Sequence, residues 1–249
     1  MLRTALATLP PKLDETYERI MINIAEKDIG YVIRILQWLA FAERPLSIDE
    51  LAEVVAINAA RDPVFDPDEV LEDPLEALDI CSSLVTISTA GGYSSTKQVA
   101  TLAHYTVKEY LVSERIQRSR VAHYSMQAAK SHSMIAIACL KYLDQFHGHE
   151  NILEKKLERY KLAEYSAEFW MHHACRAVDQ ATETSKIAFG FLSGNRAVYL
   201  NWLRICCLDT LWRTVHFLKG TSYVSDLIDL QVILMLNGRF SQRDIVTAI

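Results

Sequence analysis

The sequence predicts a mainly α-helical chain with one small β-hairpin, and three observations lead to that prediction. Apolar residues recur at helical spacing in most segments, as over Leu13–Ile24. Residues 84–102 depart from this pattern, because β-branched residues flank a glycine-containing loop there. All six prolines precede residue 75, so the second half of the chain favours uninterrupted helices.

Three helices are predicted in the first part of the chain. The first covers residues 12–28, directly after two prolines that limit it on the N-terminal side. The second covers residues 29–43 and ends before a proline. The third begins at Ser47, because Glu50 stands three residues later and the two form a capping box. A further short helix is expected over residues 72–84.

A hairpin follows, with strands predicted over residues 84–88 and 99–104. A helix is expected directly after His104, with Thr106 and Glu109 as a second capping box. This order of elements, in which helices are followed by a hairpin and then by another helix, is that of a winged-helix domain with a β-hairpin wing. We place this domain at residues 27–118 and assign residues 1–26 to a connector helix that leads into it.

The remaining chain has the pattern of an all-α region. Long helices are expected over residues 121–146 and 162–180, followed by shorter ones over 183–192 and 197–206. We expect a helical connector domain over residues 119–220. Residues 221–249 have a less regular pattern and are predicted as an irregular tail.

Charge argues against nucleic-acid binding, the usual suspicion for a winged helix. The formal net charge is -5. Between Glu43 and Asp79 the sequence has many acids and only two bases, Arg44 and Arg61. Phosphate would repel such a surface. We therefore expect no nucleic-acid partner and keep a nucleic-acid-binding winged helix as a distant alternative.

Catalytic and metal motifs are absent from the sequence. It has neither a G-x-S-x-G nucleophile elbow nor a C-x-x-C pair among its five cysteines. His172, His173 and Cys175 cluster, but adjacent helical residues point about 100° apart, so packing or solvent contact is the better interpretation. We expect a chain that is not an enzyme, has no catalytic residue and holds no metal.

Apolar runs are too short for a membrane span of about 20 residues. The N-terminal segment also lacks the apolar core of a signal peptide. We therefore expect a cytoplasmic chain without a membrane partner.

Several segments resemble one known family. They are LPPKLDETYERI, LQWLAFAERPLSIDELAEVVAI, DICSSLVTIS and LAHYTVKEYLVSERI, in this order. Together they resemble the winged-helix segment, often called a GPI inositol-deacylase winged-helix domain, that follows the NACHT nucleotide-binding domain of fungal NACHT–ankyrin proteins. These proteins belong to the STAND class of signalling NTPases. The similarity continues more weakly into the helical region, and residues 221–249 look like a degenerate ankyrin repeat.

The resemblance implies a non-enzymatic regulatory module in signal transduction. The sequence has no G-x-x-x-x-G-K-[ST] phosphate loop, which the family carries in an upstream domain. We therefore expect a family member that lacks its NTPase domain, or a fragment of one, with no cofactor of its own. ATP or ADP would belong to an upstream NACHT domain. The implied partners are that nucleotide-binding domain, in cis or in trans, and ankyrin-type or other proteins. The alternative is a stand-alone protein–protein interaction scaffold.

The resemblance also assigns a role to His104, the one candidate site residue. In the family, a histidine at the end of the second wing strand faces the nucleotide phosphates in the resting, ADP-bound state. A helix N-terminus beside an imidazole is favourable for a phosphate oxygen. The competing interpretation is a structural histidine that is packed and hydrogen-bonded within its own domain.

Overall fold

The computed structural model describes residues 11–57, 64–65, 70, 75–90, 97–148, 158–177, 181–194 and 196–206. The chain divides into two compact units. The first comprises Met1–Val55 and Val70–Gln127, and the second comprises Ala56–Glu69 and Ala128–Ile249.

The first unit has a winged-helix element order. Its elements are α1 (Pro11–Ile22), α2 (Ile29–Phe41), β1 (Leu46–Ser47), α3 (Ile48–Ala56), α4 (Glu76–Ile80), β2 (Val85–Ala90), β3 (Lys97–Leu102), α5 (Tyr105–Leu111) and α6 (Glu114–Gln117). The predicted hairpin is confirmed and helices form where they were predicted, but the helix expected over residues 12–28 ends at Ile22, and residues 26–28 form a separate 3-10 turn. The first residues of the helix expected over residues 72–84 lie outside the described part of the chain.

The sheet has three antiparallel strands in the order β1-β3-β2, one more than the predicted hairpin. The additional strand is two residues long. Leu46 pairs with Ala100, and Ser47 pairs with Val99. Sequence patterning misses β1 because two residues show no alternation.

Helices α2 and α3 form as their sequences predict. In α2, Val32, Ile35 and Leu36 are fully buried. The predicted capping box at α3 is present, because the Ser47 N–H donates to Glu50 Oε2 at 2.7 Å and the Glu50 N–H donates to Ser47 Oγ at 3.2 Å. Both free backbone donors are thereby satisfied, which fixes where the helix begins.

Helix α1 packs within the first unit. Tyr17 and Met21 are buried, and the Tyr17 ring lies 5.7 Å from that of Tyr110. Two surface ion pairs join α1 to the end of this unit, Asp14 with Arg115 at 3.1 Å and Glu18 with Arg120 at 3.3 Å. The structure groups α1 with the winged helix, whereas the sequence pattern predicts a separate connector helix over residues 1–26.

The second unit is helical in all its described parts. Its helices are α7 (Ala128–Asp144), α8 (Ala163–Arg176), α9 (Ala181–Ser193) and α10 (Arg196–Ile205). The prediction of one helix over residues 121–146 is wrong at its beginning. Residues 122–124 form a 3-10 turn, and the Met126 N–H donates to the Leu111 carbonyl at 2.8 Å, so this segment belongs to the first unit.

An aromatic cluster forms the core of the second unit. The rings of Trp170 and Trp202 meet edge to face at 5.9 Å, and Phe191 and Tyr199 complete the cluster. The Trp202 indole N–H donates to the Ala167 carbonyl at 3.0 Å. Core packing is thus the role of these two tryptophans. None of the described helices is long and apolar enough to cross a membrane. Residues 207–249, which include the predicted tail, lie outside the described part of the chain.

Candidate functional site

His104 is the N-cap residue of α5. Its backbone is extended, with φ -152° and ψ 149°, and the helix begins at the next residue. The Thr106 N–H donates to His104 Nδ1 at 3.3 Å. An imidazole therefore takes the place that a Ser, Thr, Asn or Asp side chain usually has at a helix start.

The predicted capping box of Thr106 and Glu109 is wrong for this reason. Thr106 lies inside the first turn, two residues after the N-cap position. Its buried hydroxyl instead contacts His104 Nδ1 at 2.8 Å and Tyr17 Oη at 2.6 Å. Sequence reasoning found the right position for the helix start but assigned the cap to the wrong side chain, because histidine is not among the preferred cap residues.

The hydrogen bonds at His104 determine how the ring is used. A nitrogen that accepts from a backbone N–H has its lone pair directed at the protein, so the ring proton lies on Nε2. The Thr106 hydroxyl lies within hydrogen-bond distance of both Nδ1 and Tyr17 Oη, which links α1 to the start of α5. His104 is exposed, and its ring stacks on Tyr105 with centroids 4.3 Å apart. The site thus presents a fixed imidazole on an exposed side chain, just after β3.

The histidine cluster of the helical region has a structural arrangement. His173 is fully buried, whereas its neighbour His172 and the nearby Cys175 are half-buried. These side chains diverge, as the helical spacing predicts. His149 and the side chain of His147 lie outside the described part.

His173 belongs to a buried network that sequence reasoning missed. Tyr165 Oη lies 2.9 Å from His173 Nε2, and His173 Nδ1 lies 2.8 Å from Nδ1 of His132 on another helix. Burial above all, together with the electrostatic effect of His132, Arg176 and His172, lowers the pKa of His173 to about 2. A neutral ring has one donor and one acceptor, which matches the two partners. Only the tertiary fold brings His132 to His173, so sequence spacing gives no signal of this contact.

None of the described cysteines forms a disulfide, and three of them have a raised pKa. Burial raises the pKa of Cys81 and Cys139 to about 12 and that of Cys175 to about 11. A thiol with such a pKa stays protonated at neutral pH and is a poor nucleophile. Cys207 lies outside the described residues. Packing is therefore the role of Cys81, Cys139 and Cys175.

Comparison with known proteins supports the winged-helix assignment. Residues 17–126 match the family model described as "GPI inositol-deacylase, winged helix domain". The chain is also similar to the "Azaphilone pigments biosynthesis cluster protein L" of Monascus ruber, with 32% identity over 205 residues. That match covers 82% of this chain and 43% of the relative, so the chain spans less than half of the relative's length. No solved structure matches. With the three-stranded sheet, these findings identify the fold as a winged helix followed by a helical region.

Proposed function

We propose that this chain is a non-enzymatic regulatory and interaction module of a NACHT–ankyrin-like STAND signalling protein. In this proposal the winged helix controls an NTPase switch that lies outside the chain. The observation that carries the proposal is the match of residues 17–126 to the winged-helix model. The resemblance to fungal NACHT–ankyrin proteins supplies the NTPase partner.

His104 is the residue through which the winged helix would sense the nucleotide. Its Nδ1 is held by Thr106, which fixes the ring and leaves the Nε2 proton on an exposed side chain. An imidazole N–H can donate to a phosphate oxygen of ADP held by the nucleotide-binding domain. The nucleotide would then favour the arrangement in which His104 contacts its phosphate, because the nucleotide has a greater affinity for that arrangement.

The partners follow from the same proposal. A nucleotide-binding domain, in cis or in trans, holds the ATP or ADP, and this chain holds no cofactor of its own. The helical region would transmit the conformational change of the switch to an ankyrin-type or other protein partner. We place the module in the cytoplasm, with neither nucleic acid nor membrane as a partner.

The experiment that tests the function is purification of the tagged natural protein from its own host. We expect a phosphate-loop NTPase domain, on the same polypeptide or bound to it, with ADP in the purified material. Protein mass spectrometry identifies the domain, and chromatography of the released nucleotide identifies the ADP. Purification without any phosphate-loop domain would contradict the switch and leave a stand-alone interaction scaffold as the better function.

A further inference from the structure

Strand β2 is an open edge of the sheet. In the strand order β1-β3-β2 it pairs with β3 on one side only. The four residues Thr86–Thr89 are exposed one after another, which shows that no described part of the chain covers this edge. An open edge has unpaired backbone donors and acceptors and is a template for a further strand.

The ladder between β2 and β3 shows which backbone groups face outward. The Ala103 N–H donates to the Leu84 carbonyl at 2.9 Å, just before Val85 pairs with Leu102. Hydrogen-bonded and non-hydrogen-bonded pairs alternate along an antiparallel ladder. The N–H and C=O groups of Thr86 and Ser88 therefore point to β3. Those of residues 85, 87 and 89 point away from the sheet.

The side chains of β2 lack the features that usually prevent an edge strand from pairing with another chain. The strand reads VTISTA and contains no charge, proline or glycine. Ile87 at its centre is 41% exposed. The opposite edge differs, because β1 has two residues and follows Pro45. Short strands and prolines are the means by which proteins block edge pairing, so only one of the two edges is blocked.

We propose that a second copy of this chain pairs with β2, strand to strand and antiparallel, with Ile87 on the two-fold axis. The outward residues Val85, Ile87 and Thr89 are symmetric about Ile87. In this register Ile87 faces Ile87 of the second copy, and Val85 faces Thr89. Every outward N–H and C=O then finds a partner.

The side chains of β2 fit the same register. Thr86 of one copy faces Ser88 of the other, a hydroxyl pair that is favourable across strands. The uncharged strand gives no repulsion between copies, and the exposed Ile87 side chains cover each other. Such self-complementarity is what a two-fold symmetric interface requires. A single strand pair buries little surface, so we expect a weak dimer whose population rises with protein concentration.

Sedimentation velocity of the full chain over a broad concentration range tests the dimer. Ile87→Lys places two like charges opposite each other and should lower the association constant about tenfold or more. Ile87→Glu should have the same effect. A mixture of the two variants should associate again, because Lys then faces Glu. Ile22→Lys is the matched control, since Ile22 is 43% exposed on a helix, and it should leave association unchanged.

Disulfide trapping with oxidised glutathione tests the register. In the proposed register, Ile87 and Ile87 of the second copy form a hydrogen-bonded antiparallel pair. The Cα atoms of such a pair lie about 5.5 Å apart, a distance that a disulfide can bridge. Ile87→Cys should give a covalent dimer. Thr86→Cys should give far less, because it faces Ser88 of the other copy. A wild-type chain that stays monomeric, or association that Ile87→Lys does not weaken, would overturn the proposal. So would failure of the Lys and Glu variants to associate when mixed, or trapping at Thr86 equal to that at Ile87.

Discussion

Histidine at an N-cap position gives one residue two separable tasks. His104 Nδ1 caps α5, and the other ring nitrogen remains on an exposed side chain. The first task belongs to folding, and the second is the proposed contact with a nucleotide. Substitutions that keep one task and remove the other therefore discriminate between the structural and the functional interpretation of His104.

The capping task predicts a difference between two substitutions of His104. His104→Leu removes the acceptor for the Thr106 N–H and should lower the free energy of unfolding of the first unit by about 1 kcal/mol. His104→Ser keeps a cap and should lower this free energy of unfolding by only about a few tenths of a kcal/mol. Urea unfolding, monitored by hydrogen exchange in α5, measures the loss of stability in each variant. Equal losses in the two variants would show that His104 does not cap the helix.

The buried His173 predicts a pH dependence of the second unit. Its pKa is lowered from 6.5 to about 2 in the folded state, so below pH 6.5 the unfolded chain binds a proton that the folded chain does not. The free energy of unfolding should therefore fall as the pH falls from 6.5 toward 2.

His173→Gln removes this titrating group and should reduce that slope. Hydrogen exchange in α7 and α8 measures the stability of the unit at each pH. Wild-type stability that is flat between pH 6 and pH 4 would contradict the account, as would a slope that the substitution leaves unchanged.

Among the single elements, α3 begins where a capping box and an ion pair meet at Glu50. Glu50 is buried, accepts from the Ser47 N–H and forms a two-pronged ion pair with Arg44 at 2.6 and 2.9 Å. The sequence predicted the capping box from the Ser47–Glu50 spacing. The ion pair has no such signal, because its geometry depends on how Arg44 folds back over the helix start.

Substitution of Glu50 separates these contributions. Glu50→Gln keeps a side chain that completes a capping box but loses the charge opposite Arg44, and it should cost about 1 kcal/mol. Glu50→Ala also leaves the Ser47 N–H without its acceptor and should cost about 2 kcal/mol. Chemical denaturation of each variant checks the order. A Glu50→Gln loss as large as that of Glu50→Ala would assign the whole effect to charge.

Elements differ in how well the sequence predicts them, and the reason is physical. Helices α2 and α8 carry long apolar stripes and were predicted from them. Strand β1 exists only because Ala100 and Val99 lie beside it, and no local pattern reports such a partner. Similarly, α7 begins after Gln127 because Met126 bonds to the Leu111 carbonyl, a tertiary contact that overrides helical patterning over residues 121–127.

For the whole molecule, the sequence predicted the fold class well and the site in part. The position of His104 at the end of β3 was predicted, because strand and helix patterns meet there. Its role as a cap and its link through Thr106 to Tyr17 were not, because they depend on how α1 packs. The His132–His173 contact joins helices that are distant along the chain and was not predicted for the same reason.

In the proposed switch, His104 senses nucleotide phosphate for an NTPase domain. The most direct test is the rate at which ADP dissociates from the natural protein together with that domain, for wild type, His104→Leu and His104→Ser. The account predicts that both variants release ADP about tenfold faster or more, since each loses the imidazole hydrogen bond while only His104→Leu loses the cap. An ADP release rate in His104→Ser equal to that of wild type would contradict the claim and leave His104 with its structural role alone.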